Sequence, residues 1–107
     1  MEHSIFDVQA EFCRAMGNAT RLQILHILRE HPMSVSEIME ELHLGQSTVS
    51  RQLAVLRGVG VVSGERDGNV VRYELTDTTI GDVCDLVRKV LSDQVQKRTN
   101  ALSNGQL

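Results

Sequence analysis

Residues 44–56 read Leu-Gly-Gln-Ser-Thr-Val-Ser-Arg-Gln-Leu-Ala-Val-Leu. Within this stretch Val49, Leu53 and Leu56 recur at the i, i+4, i+7 spacing that places apolar side chains on one face of a helix. A different face carries short or polar side chains, namely Ser47, Ser50, Arg51 and Ala54. The stretch therefore predicts a helix that buries one face and offers the other for docking.

The preceding residues show the same apolar periodicity, at Val35, Ile38, Met39 and Leu42. Residues 43–45, His-Leu-Gly, separate the two segments. A helix, a tight turn containing glycine and a second helix with a polar face form the pattern of a helix-turn-helix. Hydroxyl groups and an arginine on such a helix can reach phosphates and base edges in a major groove. An ordinary helical hairpin has the same pattern, so this region alone leaves both interpretations open.

Length and composition describe one globular domain. The chain has 107 residues, of which 41% are hydrophobic and 23% charged, which is enough apolar material for one core. The sequence has no run of 18 apolar residues and no secretion signal, so we expect a cytoplasmic protein that does not span a membrane. Its two cysteines are then expected to be free thiols. Known catalytic motifs are absent from the sequence, so we do not expect an enzyme.

Positive charge is concentrated in one segment. The net charge of −3 argues against a protein that coats nucleic acid through its overall charge. Residues 45–72 nevertheless carry four arginines against two acids, a local charge of +2, whereas residues 30–44 carry four glutamates and no lysine or arginine. The basic segment is the one that would meet DNA.

Capping residues and apolar periodicity predict the remaining helices. Ser4 can cap a first helix that ends near Met16, and Asn18 can cap a second over residues 19–30. Ser34 or Ser36 opens the third helix, with Glu37 placed for a capping box with Ser34. The last helix is predicted over residues 78–97.

Two extended runs, residues 61–66 and 69–76, surround Asp67-Gly68, which is a strong hairpin signal. Alternation in the second run predicts that Val71, Tyr73 and Leu75 face the core and that Arg72 points outward. A hairpin directly after a recognition helix is a wing. The predicted fold is therefore mainly α with a small β-hairpin, a winged helix-turn-helix of order α-α-α-α-β-β-α.

The apolar stripe of the last helix is long for so small a domain. It can pack onto its own core, but we favour burial against a second subunit. We expect a winged-helix DNA-binding and dimerisation domain over residues 1–98 and a flexible tail over residues 99–107. The residues expected at the dimer interface are Ile5, Phe6, Ile80, Val87 and Leu91.

The element order and three strings, at residues 16–25, 44–57 and 60–75, resemble the ArsR/SmtB family of winged-helix transcriptional repressors over roughly residues 10–92. This resemblance implies a homodimer joined through its first and last helices. It also implies two recognition helices presented to a pseudo-palindromic operator in double-stranded DNA, and a ligand or thiol event that weakens binding. The expected DNA contacts are Gln46, Ser47, Thr48, Ser50, Arg51, Arg66, Asn69 and Arg72.

The inducer sites of the family are not intact in this sequence. Arsenic and cadmium sensors often carry Cys-x-Cys at the start of the third helix, where residues 33–36 here read Met-Ser-Val-Ser. The cysteines of the persulfide-sensing branch correspond to His26 and Ser92. The zinc-type site keeps Asp82 and has Cys84 where histidine is expected, and its later positions fall near residues 95 and 98, a valine and an arginine. We therefore expect no metal or cofactor.

Cys13 and Cys84 lie on apolar stripes of the first and last helices. They can be inert, buried small residues, or thiols at the subunit interface that respond to an oxidant, a polysulfide or a thiophilic ion. Three functions follow: a repressor released by a thiol-directed signal, a DNA-binding regulator without its own inducer, and an interaction module that has lost DNA binding. The basic recognition helix and wing argue against the third.

Overall fold

The computed structural model describes residues 4–103, and it confirms the winged helix-turn-helix fold. One short strand that the sequence pattern does not predict lies between the second and third helices. The elements in chain order are α1 Ile5–Met16, α2 Ala19–Leu28, β1 Met33–Ser34, α3 Val35–Leu42, α4 Gln46–Gly58, β2 Val62–Asp67, β3 Val70–Leu75 and α5 Thr79–Ser103.

The three strands form an antiparallel sheet of order β1-β3-β2. The hairpin closes with Asp67 opposite Val70, so its loop is Gly68-Asn69, one residue later than predicted. Gly68 has a φ of +66°. A two-residue hairpin loop with glycine in this conformation at its first position matches the twist of the strands. The other edge pairs Ser34 of β1 with Arg72 of β3.

The predicted helix caps are present. The Ser4 and Asn18 side chains accept hydrogen bonds from backbone N–H groups three residues further on. Ser34 and Glu37 form a reciprocal capping box at the start of α3. At the end of α3, His43 has a left-handed φ of 56°, so the turn of the helix-turn-helix places a non-glycine residue in a conformation that favours glycine.

The core lies among α2, α3, α4 and the base of the sheet. The periodic apolar face of α4 is buried there, as predicted. The largest fully buried side chains are Ile24, Leu25, Ile38, Val49, Leu53 and Leu56. Burial of each aliphatic side chain of this size stabilises the fold by about 1.5–3 kcal/mol.

The last helix extends beyond its predicted end. α5 continues through residue 103 instead of ending near residue 97, and it therefore enters the segment expected to be a flexible tail. Residues 1–3 and 104–107 lie outside the described part of the chain. Near its start α5 is attached to α2, because Arg29 crosses closely over Gly81 and forms an ion pair with Asp85 (Nη1–Oδ2, 2.7 Å). Within residues 4–103, no helix is both long and apolar enough to cross a membrane.

Candidate nucleic-acid interface

The polar face of α4 points away from the core. The side chains of Gln46, Ser47, Ser50 and Arg51 are exposed, and Thr48 is half-buried. Gly45, the N-cap residue, has no side chain to accept hydrogen bonds from the first-turn N–H groups. These groups are thus available to an acceptor outside the chain, such as a phosphate oxygen. α4 therefore presents donors, hydroxyls and one guanidinium on a single outward surface.

A second helix holds α4 in place. The Arg21 guanidinium donates from Nη1 to Gln52 Oε1 over 2.8 Å and from Nε to the Ala15 carbonyl over 2.6 Å. One side chain of α2 therefore connects the end of α1 to the recognition helix. Arg21 could not be predicted as a site residue from the sequence, because its pairing with Gln52 depends on tertiary packing that periodicity does not reveal.

The wing presents two exposed side chains at its tip, Arg66 beside the turn and Asn69 within it. Arg66 forms no ion pair with any residue in the described range 4–103, and the same holds for Arg51 and Arg57 of α4. These three guanidinium groups are the positive charges that the helix and wing can offer to a polyanion.

Arg72 does not point freely outward as the alternation predicted. Its Nη1 lies 2.5 Å from Glu37 Oε1, and its Nε lies 3.5 Å from Asp67 Oδ2. The reason is β1, which pairs Ser34 with Arg72 and so brings the first turn of α3 beside β3. Hydrogen bonds from Ser34, followed by the contact with Arg72, lower the pKa of Glu37. The carboxylate is therefore held in the charged form that pairs with arginine.

The two thiols differ in environment. Cys84 is half-buried and packs against the core of its own chain, whereas Cys13 is exposed on α1. Neither forms a disulfide. Over residues 4–103, no group of three or more His, Cys, Asp or Glu side chains is arranged to hold a metal ion.

A wide apolar surface remains uncovered on α1 and α5. Phe6 is 75% exposed and Ile5 71% exposed, which is far more than large apolar side chains usually show in a core helix. Ile80, also in the predicted set, is half-buried and packs against the core of its own chain. The exposed apolar residues of α5 are Val83, Leu86, Val87, Val90, Leu91, Val95 and Leu102.

The family profile described as "Bacterial regulatory protein, arsR family" matches residues 18–63, which extend from the start of α2 into β2. The HTH-type transcriptional regulator Rv0081 of Mycobacterium tuberculosis is 34% identical over 101 residues, which are 94% of this chain and 89% of that protein. Its crystal structure has a TM-score of 0.81 at 33% identity, covering 92% of this chain and 99% of that one.

Two further relatives share the fold. The transcriptional activator HlyU of Vibrio cholerae is 36% identical over 77 residues, 72% of this chain and 71% of that protein. Mb0332 of Mycobacterium bovis was solved as a homodimeric winged helix-turn-helix DNA-binding domain. It has a TM-score of 0.80 at 26% identity, covering 87% of this chain and 86% of that one. Together with the outward polar face of α4, these likenesses show that the chain belongs to the ArsR/SmtB family of winged helix-turn-helix DNA-binding transcriptional regulators, which are not enzymes.

Proposed function

We propose that the protein is a homodimeric repressor that inserts α4 of each subunit into the major groove of a pseudo-palindromic operator. The observation that carries this proposal is the arrangement of α4, with Val49, Leu53 and Leu56 buried and its polar face open to solvent. In this arrangement Gln46, Ser47, Thr48, Ser50 and Arg51 read the groove, while the exposed wing contacts the backbone.

The apolar surface of α1 and α5 supports the homodimer. Phe6, Val87 and Leu91 are each more than half exposed, and no element between residues 4 and 103 covers them. Because these side chains are 53–75% exposed, their burial at the interface contributes roughly 1–2 kcal/mol each, and a two-fold axis makes every contact count twice. The homodimeric state of Mb0332, a structural relative, points in the same direction.

The repressor role is supported by the resemblance to a family of repressors, but HlyU is named an activator. A reporter gene placed behind the native promoter distinguishes the two directions. Deletion of the protein raises expression if it represses and lowers expression if it activates.

A thiol-directed signal is supported by the position of Cys13. Phe6 and Cys13 are seven residues apart on α1 and therefore share one helix face, and both are exposed. In the proposed dimer this face lies at or beside the subunit interface, where a modified thiol would alter the spacing of the recognition helices. Each subunit has two cysteines, and Cys84 packs against the core of its own chain, so oxidation or polysulfide chemistry fits better than a three-thiolate metalloid site. A regulator without its own inducer is the alternative.

The test is selection of bound duplexes from a random pool, followed by affinity measurement with variants. Arg51→Ala should weaken binding to the selected operator by about 1–3 kcal/mol if Arg51 makes a bidentate base contact. Lys89→Ala is the matched control, since Lys89 is an exposed cation of α5 with only a surface ion pair to Asp93. If no sequence is enriched, the protein is better explained as an interaction module. If Arg51→Ala binds the operator as tightly as the control, Arg51 does not read the groove.

A further inference from the structure

We infer that Arg72 is a positioning residue that fixes the wing against α3 through Glu37, and that Arg66 is the wing cation that contacts phosphate. This inference rests on the proposed function, because it assumes that the wing meets DNA. It assigns different roles to two arginines that look equivalent in the sequence, where both flank the tip of the hairpin.

Three elements meet at the Glu37 carboxylate. Its Oε1 accepts a hydrogen bond from the Ser34 backbone N–H over 3.0 Å, which closes the capping box of α3. The same oxygen accepts from Arg72 Nη1 over 2.5 Å. Ser34 itself lies opposite Arg72 in the pairing of β1 with β3. A single carboxylate therefore joins the first turn of the helix-turn-helix to the central strand of the wing.

The register of the hairpin separates the two arginines. Arg66 lies opposite Val71 and Glu65 lies opposite Arg72. Since side chains alternate along a strand and cross-strand partners share a face, Arg66 and Arg72 lie on opposite faces of the hairpin. A phosphate backbone that lies against one face of the hairpin therefore does not contact both arginine side chains.

The face that carries Arg72 is acidic. By the same alternation it also carries Glu65, Asp67 and Glu74, and all three are exposed. Asp67 contacts the Arg72 guanidinium through Nε, whereas Glu37 contacts it through Nη1. Glu37 and Asp67 contact Arg72, and Glu65 and Glu74 share its face, so a phosphate approaching Arg72 from this face would meet net negative charge.

The pair between Arg72 and Glu37 is suited to orientation more than to stability. Both side chains are 41% exposed, and ion pairs at such exposure contribute little to the free energy of unfolding. A guanidinium, however, offers several donors in a rigid plane. Here Nη1 donates to Glu37 Oε1, and Nε lies 3.5 Å from Asp67 Oδ2. This geometry limits how β3 and the wing tip can tilt relative to α3.

Salt dependence of operator binding separates the two roles. A protein that neutralises one phosphate fewer shows a slope of log K against log[salt] that is smaller by about 0.9. We expect Arg66→Ala to reduce the slope in this way. We expect Arg72→Ala to weaken operator binding several-fold with an unchanged slope, because the bound wing still places Arg66 on phosphate and only the cost of orienting it rises. We expect Lys89→Ala to change neither.

For Glu37→Gln, the two possible roles of Arg72 predict changes in operator affinity of opposite sign. Glutamine preserves the capping box, so the fold should be retained. If Arg72 positions the wing, this variant weakens operator binding, and combining it with Arg72→Ala adds little further loss of affinity. If Arg72 is instead a phosphate contact masked by Glu37, the variant strengthens binding and steepens the slope.

The inference is overturned if Arg72→Ala reduces the slope, if Glu37→Gln strengthens binding, or if neither variant alters operator affinity. If the Arg72→Ala variant does not fold, the direction in which Glu37→Gln changes operator affinity still distinguishes a positioning role from a phosphate contact. Failure of the proposed function looks different, because Arg51→Ala would then bind every duplex as the wild type does.

Discussion

The Arg21 guanidinium donates to the Gln52 side-chain carbonyl across 2.8 Å, and this contact joins the second helix to the recognition helix. The same group donates to the Ala15 carbonyl at the end of α1. Ala15 is buried, so its carbonyl lies where a missing hydrogen bond is not easily replaced by water. The orientation of α4 is therefore set by the hydrogen bonds of Arg21 as well as by the apolar core.

Arg21→Ala should lower the free energy of unfolding by about 1–3 kcal/mol, because it leaves a buried acceptor unsatisfied. Gln52→Ala should cost less, about 0.5–1.5 kcal/mol, because it removes one hydrogen bond at a half-buried site. Urea unfolding followed by circular dichroism measures both. Equal effects of the two variants would show that the contact with Ala15 contributes nothing.

The left-handed conformation of His43 predicts a stabilising substitution. A non-glycine residue in this region costs about 1–2 kcal/mol, and His43 is exposed, so its side chain contributes little packing. After the entropy cost of glycine is subtracted, His43→Gly should stabilise the protein by about 1 kcal/mol. His43→Ala is the control, since it removes the imidazole and retains the strain. If both variants unfold at the same midpoint temperature, the left-handed φ of His43 does not destabilise the protein.

A charged substitution on α5 tests the proposed dimer interface. Leu91 is 53% exposed on α5 in the single chain, and Leu91→Glu would place a carboxylate within the proposed interface. We expect sedimentation velocity to show monomers and operator binding to be abolished. Gln96→Glu adds the same charge about 140° away around the helix and should leave the dimer intact. Wild-type protein that sediments as a monomer at micromolar concentration would contradict the proposal.

The thiols are tested by comparing wild type with Cys13→Ser and Cys84→Ser. Because Cys13 is exposed and Cys84 packs against the core, the response of operator binding to peroxide or polysulfide should depend more strongly on Cys13. An arsenite series tests thiophilic ions in the same assay. If both single variants release the operator as the wild type does, the cysteines are structural and the protein has no thiol-directed signal.

Local signals account for what could be predicted from the sequence. The caps at Ser4, Asn18 and Ser34 depend on residues within one helical turn, and the buried face of α4 depends on periodicity within a single element. These features do not require knowledge of which elements pack together. Together with the Asp67-Gly68 hairpin signal, they are sufficient to indicate the helix-turn-helix and the wing.

The features that were missed depend on distant partners. The strand Met33–Ser34 is too short for alternation to reveal and exists only because β3 pairs with it. Without that strand, the contact of Arg72 with Glu37 could not be anticipated. Ile80 shares the stripe of Val87 and Leu91, but tertiary packing turns the first towards the core and leaves the other two exposed.

Hydroxyl-radical footprinting on the selected operator, with the stoichiometry of the complex measured on the same sample, tests directly whether a dimer binds DNA through α4. Two subunits presenting α4 to successive major grooves should protect two half-sites whose centres are about 34 Å apart, one turn of DNA. We expect this pattern with two chains per duplex, and weaker protection of both half-sites by Arg51→Ala at the same protein concentration. A single protected site bound by one chain, or two half-sites that Arg51→Ala leaves unchanged, would contradict it.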